Sequence, residues 1–312
     1  MSAPTRSLDS AAIRTALEQS LASVVQLPTA TLEPLLCAVV AGGHVLLEGI
    51  PGIGKTLLAR TLARCLDGEF RRIQFTNDLM PSDVVGTSVW RQDRGEFTFV
   101  PGPLFANIVL ADEINRTSPR TLSCLLEAME NGRVSVDGRT LDLGQPFTLL
   151  ATRNPIEFHG TFPVPEAALD RFLVRMELVY PVPAAELDLY LGAEPESKLA
   201  LLQPVLSRED LLQLHAATGE VHVSRAVAEY AHRVVQATRC HPTVQLGASP
   251  RAALAWLRVA RARALLRGRD YLVPDDLKAL APAALAHRIF LQNGADARPL
   301  VRELLGTIAV EA

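Results

Sequence analysis

The sequence predicts an α/β fold, a parallel five-stranded sheet carrying two inserted β-hairpins, followed by a smaller all-helical domain. Three observations predict it. Short, mostly apolar runs at residues 45–47, 73–75, 108–111, 147–151 and 172–179 are separated by helical patterns or hairpins, as in a parallel sheet covered on both faces. Two segments interrupt that alternation with paired β patterns around polar turns. After Tyr180-Pro181-Val182-Pro183 no convincing strand follows. Residues 1–182 therefore form the α/β domain and residues 183–312 the helical one.

Residues 8–41 read as helical, with Leu17, Leu21, Val24 and Val25 on one face, an interruption at Pro28, and a resumption over 32–40. The first strand then runs into Gly49-Ile50-Pro51-Gly52-Ile53-Gly54-Lys55-Thr56, a complete G-x-x-x-x-G-K-[ST] loop, and Leu57 continues into a helix closed by Asp67-Gly68. Strand, loop and helix in this order make a phosphate cradle. The glycines let backbone N–H groups approach the phosphates, and the helix N-terminus adds partial positive charge. Lys55 reaches the β- and γ-phosphates, and the Thr56 hydroxyl holds Mg²⁺. The expected nucleotide contacts are Gly49, Pro51, Gly52, Ile53, Gly54, Lys55, Thr56 and Leu57. Lysine is scarce, 3 against 28 arginines, and one of the three stands here.

The first hairpin is signalled by Trp90 and the pair Phe97/Phe99 around Asp93-Arg94-Gly95, the second by Val134-Ser135-Val136 facing Arg139-Thr140-Leu141 across Asp137-Gly138. Between them the run 108–111 ends in Asp112-Glu113, at the carboxyl end of a strand, where open α/β sheets place ligands. Asp112 suits the Mg²⁺ shell, and Glu113 suits orienting and polarising an attacking water. Thr117 or Ser118 then caps a helix with Pro119 in its first turn, a buried stripe of Leu122, Leu125, Leu126 and Met129, and an end at Asn131-Gly132. Asn154 follows the run 147–151; its amide can bond the water or the γ-phosphate, and it equally suits a turn before Pro155. Nothing in the local pattern lifts Arg171 or Arg251 above ordinary surface arginines. In the second domain, residues 207–218, 224–239, 250–267 and 274–288 read as helices, the third capped by Ser249 and the fourth opened by Pro274 with Asp275 and Asp276. Residues 191–205 read as linker plus helix.

Composition narrows the function classes. Net charge is −3, with 48% hydrophobic and 21% charged residues, which counts against a nucleic-acid translocase. The first six residues carry no secretory apolar region, and no run of about 18 apolar residues appears. Cys37, Cys65, Cys124 and Cys240 are scattered, without C-x-x-C, as in a reducing cytosol. A cytoplasmic protein with no membrane span is expected.

Taken in order, the long motifs are similar to those of a known family. They are Gly42-Gly43-His44-Val45-Leu46-Leu47-Glu48-Gly49, Ile73-Gln74-Phe75-Thr76, Asp78-Leu79-Met80-Pro81-Ser82-Asp83, Gly102-Pro103 with Leu104-Phe105-Ala106-Asn107, and Ala111-Asp112-Glu113-Ile114-Asn115-Arg116. Further on come Leu126-Glu127-Ala128-Met129-Glu130, Asn154-Pro155-Ile156-Glu157, Gly160-Thr161-Phe162-Pro163-Val164-Pro165-Glu166-Ala167, and Gly247-Ala248-Ser249-Pro250-Arg251-Ala252. Across roughly residues 20–290 the chain resembles the MoxR family of AAA+ ATPases, in the clade with a hairpin inserted in helix 2.

The resemblance implies that Asn154 is the sensor 1 residue, Arg171 an arginine finger given in trans, and Arg251 the sensor 2 arginine. It implies ATP and Mg²⁺, a homo-oligomeric ring, usually a hexamer, and hairpins facing the pore. It also implies a partner carrying a von Willebrand factor A domain and a chaperone-like role in remodelling a protein complex or inserting a metal or cofactor. If Arg251 touches the γ-phosphate, hydrolysis removes that contact and frees the two domains to rotate. Rival readings are the motor subunit of a metal chelatase and a weakly hydrolysing nucleotide-gated scaffold. Glu113 counts against the scaffold. Three departures stand out: Val24-Val25-Gln26 where the family has Val-Gly-Gln beside the adenine, Arg153 in place of a glutamine, adding positive charge near the phosphates, and Phe158-His159 in place of a polar-acidic pair.

Overall fold

A computed structural model describes residues 8–50, 52–154, 162–181, 183–192 and 194–310. Pro51, the 155–157 motif and the Phe158-His159 departure lie outside the described residues.

Helix α1 (Ser10–Val24) starts at Asp9, whose carboxylate accepts from the Ala11 and Ala12 amides, satisfying donors that a helix start leaves orphaned. Pro28 separates it from α2 (Thr29–Val40). The chain then enters β1 (Val45–Glu48), the phosphate loop, α3 (Lys55–Cys65), β2 (Phe70–Gln74) and the short α4 (Pro81–Val85). The first hairpin is β3 (Gly86–Arg91) with β4 (Glu96–Pro101). Strand β5 (Ile108–Asp112) and α5 (Pro119–Asn131) follow, then the second hairpin, β6 (Arg133–Val136) with β7 (Arg139–Asp142). Strand β8 (Thr148–Arg153), α6 (Glu166–Leu169) and β9 (Val174–Glu177) complete the core.

The five-stranded sheet has the order β2-β5-β8-β1-β9, and every pair is parallel. All five predicted strands are present. β2 begins earlier than its apolar run: it is an edge strand in which Arg71 and Arg72 face solvent, so its first half lacks the apolar signature of a central strand. Successive side chains of β1 serve opposite faces. Val45 and Leu47 join a cluster with α1, α2 and α3, whereas Leu46 joins the cluster around Val84, Leu122 and Leu125.

Both predicted hairpins form. In the second, Asp137 and Gly138 each have positive φ (50° and 74°), the backbone that matches the twist of a two-residue hairpin turn. In the first, Trp90 and Phe97 pack edge to face at 5.1 Å, yet remain 53% and 70% exposed.

Beyond the sheet come α7 (Pro183–Tyr190), α8 (Pro195–Leu201), α9 (Arg208–Glu220), α10 (Arg225–Cys240), α11 (Pro250–Leu266), α12 (Pro274–Leu285) and α13 (Arg298–Thr307). Helices α7 and α13 and one small strand pair add to the expected pattern. β10 (Val244–Leu246) pairs antiparallel with β11 (Phe290–Leu291), segments too short to produce a periodic signal. Trp256 is fully buried, and its indole N–H donates to Leu277 O at 2.9 Å. Helix α11 packs on α1 and α2, so the apolar core runs from the sheet into the helical region. Ion pairs add to that seam: Arg175 of β9 holds both carboxylate oxygens of Asp296 at 2.9 and 2.8 Å, and Arg298 reaches Glu177 at 2.6 Å.

Candidate active site

The parallel sheet gathers three loops at one edge. The phosphate loop follows β1, Asn154 follows β8, and Asp112-Glu113 close β5, on adjacent strands in the order β5-β8-β1. In register, Glu48 lies beside Arg153 and Ala111 beside Ala151. Strand spacing puts β5 about 10 Å from β1, with β8 between them.

Gly52 and Gly54 hold the phosphate loop with φ of 81° and 92°, conformations that cost a side-chain-bearing residue energy. No side chain caps α3. Its first-turn amides therefore point at the loop as anion donors. Lys55 Nζ donates to Gly49 O at 2.7 Å, beside the place a phosphate would take.

The two acids are held by a network. Thr152, fully buried on β8, donates its hydroxyl to Asp112 Oδ1 at 2.5 Å and accepts from the Glu113 amide at 2.8 Å. Arg72 Nη2 reaches Asp112 Oδ2 at 2.6 Å and Gln74 Oε1 at 2.6 Å. Gln74 in turn donates to Glu113 Oε2 at 3.0 Å, and Arg116 pairs with the same oxygen at 2.8 Å. Glu113 has φ 60° and ψ 52°, a left-handed backbone uncommon for a non-glycine residue and frequent at functional sites. Asn154 is buried. Thr152, Arg72 and Gln74 escaped the sequence reading. The one available signal was that polar residues end two strands at the same carboxyl edge as the acids.

The donor set suits Mg²⁺. A hydroxyl at Thr56 and one carboxylate at Asp112, completed by phosphate oxygens and water, match an ion that keeps waters and shares its ligands with substrate. Among the described residues no cluster of three or more His, Cys, Asp or Glu forms an all-protein metal cage.

Beside the phosphate loop lies a cavity of about 370 Å³ lined by Val24, Val25, Gln26, Leu57, Tyr180 and Tyr190, among others, a volume within the usual range for ligand pockets. Val25 has φ −107° and ψ 109°, an ordinary extended backbone that needs no glycine. The missing family glycine thus leaves the chain path unstrained. Arg153 faces Glu48, its Nε 3.7 Å from Oε1, so a carboxylate partly offsets the charge it brings. A larger cavity of about 620 Å³, bounded by Glu48, Arg153, Arg175, His287, Asp296 and Arg298, separates the strand ends from the helical region.

Arg171 and Arg251 stand elsewhere. Arg171 precedes β9, at the amino edge of the sheet. Arg251 lines a cavity of about 280 Å³ together with Gly42, Gly43 and His44, which precede β1. Both arginines bind Glu130: Arg171 Nη2 at 2.9 Å from Oε2, Arg251 Nη2 at 2.6 Å from Oε1. β1 spans four residues, so about 13 Å of strand separates this group from the phosphate loop of the same chain. Within one chain, a contact from Arg251 to the γ-phosphate would have to span that length of strand.

A family model described as "ATPase family associated with various cellular activities (AAA)" matches residues 44–174, and one described as "AAA lid domain" matches residues 236–305. A crystal structure of a Cytophaga hutchinsonii protein classed as an ATPase superposes with a TM-score of 0.87 at 35% identity, covering 97% of each chain. The fold is thus of the AAA ATPase class, an α/β core followed by a helical lid. Among curated proteins, the chain is 48% identical to YeaC of Bacillus subtilis over 280 residues, 88% of each. It is 42% identical to the chaperone MoxR1 of Mycobacterium tuberculosis over 285 residues, 88% of this chain and 74% of that one. The chain belongs to the MoxR family of AAA+ ATPases.

Proposed function

We propose that this chain hydrolyses ATP as a subunit of a homo-oligomeric ring, a hexamer by family resemblance, and that the cycle drives chaperone-like remodelling of a protein complex or of metal or cofactor insertion. One observation carries the reading: the phosphate loop and the acid pair occupy one edge of the sheet, while two arginines joined by one carboxylate occupy the other. A ring turns that separation into an asset, because the amino edge of one subunit meets the carboxyl edge of the next.

In the proposed reaction the loop amides and Lys55 hold the β- and γ-phosphates. Thr56 and Asp112 would hold Mg²⁺, which would supply neutralisation of phosphate charge there. Glu113 orients the attacking water and takes up its proton, while Asn154 fixes the water or the γ-phosphate. Arg171 and Arg251 arrive from the neighbouring subunit and meet the charge that develops on the γ-phosphoryl oxygens, a contribution of about 10³–10⁵ in rate for fingers of this kind. The cavity beside Val25 and Tyr190 takes the adenine. The name chaperone carried by MoxR1 supports the remodelling role. The first hairpin, with its exposed Trp90 and Phe97, serves as a pore element, and a partner with a von Willebrand factor A domain delivers the client. We place the boundary between core and lid at residues 182/183 and the protein in the cytoplasm. Among the described residues, no helix is long and apolar enough to cross a membrane.

Glu113→Gln tests the chemistry. Turnover should fall at least about 100-fold, as expected for loss of a general base, with Mg-ATP affinity retained. Undiminished phosphate release would remove Glu113 from the reaction. The same variant, locked with ATP, is the bait for identifying the client by co-purification.

A further inference from the structure

Glu130 stands next to last in α5, where three parts of the molecule converge. Its Oε2 accepts from Arg171, on the segment between α6 and β9, and its Oε1 accepts from Arg251, in the first turn of α11. The backbone that carries Glu130 is pinned. The carbonyl of the preceding residue, Met129, is bound by the His44 ring at 3.0 Å, and Gly132 closes the helix with φ 63°. The cations are less constrained. Among the described residues Arg171 has one further anchor, the Ala167 carbonyl, whereas Arg251 makes a single ion pair, with Glu130. Free arginine side chains sample many rotamers, and one ordered beforehand loses less on binding a phosphate.

Resting on the trans reading above, we propose that Glu130 is a positioning residue that holds Arg171 and Arg251 as one paired unit for the neighbouring subunit's γ-phosphate. Each guanidinium has five N–H donors, and Glu130 is bonded to one nitrogen of each, so donors remain for phosphate oxygens. The carboxylate does not cancel the attraction. Arg171, Arg251, Arg258 and Arg288 line the same 280 Å³ cavity with only Glu130 and Asp170 as acids. Glu130 also joins core to lid, because Arg251 belongs to the lid and Arg171 to the core. A shift of the lid on its core therefore breaks the pair apart and withdraws one arginine from the adjacent site.

The test uses Glu130→Gln and Glu130→Asp in the full chain, at protein concentrations that assemble the ring. Glu130→Gln should lower kcat by about 10–100-fold, the cost of misplacing catalytic groups by an ångström or so. Affinity for a fluorescent Mg-ATP analogue and ring mass should match the wild type. Glu130→Asp keeps the charge but is too short to span both cations, and should lose activity to a lesser degree. Mixing Glu130→Gln with Lys55→Ala subunits should restore turnover, because each Lys55→Ala neighbour presents a correctly held arginine pair to an intact nucleotide site. An unchanged or raised kcat in Glu130→Gln, or mixed rings no more active than the two variants separately, would overturn the proposal. Arg171→Ala separates the two readings. If it loses turnover while Glu130→Gln does not, only the positioning role fails. If Arg171→Ala itself retains full turnover, the finger in trans fails first.

Discussion

Thr152 shows how much a single hydroxyl can organise. It donates a hydrogen bond to Asp112 and accepts one from the Glu113 amide, so it fixes both the Asp112 carboxylate and the strained backbone of Glu113. Thr152→Val keeps the shape but leaves a buried carboxylate oxygen and a backbone N–H unsatisfied. A loss of about 1–3 kcal/mol is expected, read as a lower urea midpoint at unchanged slope, with reduced turnover. An unchanged midpoint would mean the two groups find other partners. The acids themselves were legible, since Asp112 and Glu113 end an unbroken apolar run after a complete phosphate loop. Thr152 was not, because a threonine in a strand suits β propensity, and only the pairing of β8 with β5 reveals its second use.

At the scale of elements, His44 fastens three of them together. Its Nδ1 accepts from the Leu149 amide of β8, so the proton sits on Nε2, which donates to Met129 O in the last turn of α5. Burial holds the ring pKa down to about 4, the bond to Met129 opposing this and nearby Arg258 reinforcing it. The folded protein therefore keeps this ring neutral where the unfolded chain, near 6.5, takes up a proton. Stability from His44 is complete above about pH 6.5 and falls as pH drops from there to about 4, by about 3 kcal/mol in all. Urea unfolding of wild type and His44→Gln across that window should show a shallower slope in the variant, reduced by the share His44 carries, while His287 and His215, also held down by burial, keep theirs. Parallel profiles would refute it. Elements differ in how plainly they announce themselves. Asp137-Gly138 encodes its hairpin turn locally, and β1 and β5 are apolar up to their last residue, so each was readable. β2 starts beneath two solvent-facing arginines, and the β10–β11 pair is three residues against two, below any periodic signal.

For the whole molecule, the telling feature is distance. Arg171 and Arg251 meet at Glu130 from 41 and 121 residues away, and helical periodicity carries no information about which faces dock. Family resemblance named the two arginines, and only the folded chain reveals that they stand together and away from their own phosphate loop. Under the ring reading, turnover per subunit should rise with protein concentration and level off as rings fill. Arg171→Ala should drop the plateau by about 10³-fold or more; dilute protein as active per subunit as concentrated protein would contradict it. The lid also grips the Arg171 segment directly. Arg288, buried just beyond α12, donates to Asp170 Oδ1 and to the backbone oxygens of Asp170, Phe172 and Leu173, the residues flanking Arg171. Under the ring reading, damage at Arg288 would be felt next door: the altered copy still charges itself with fuel, while the copy beside it stalls.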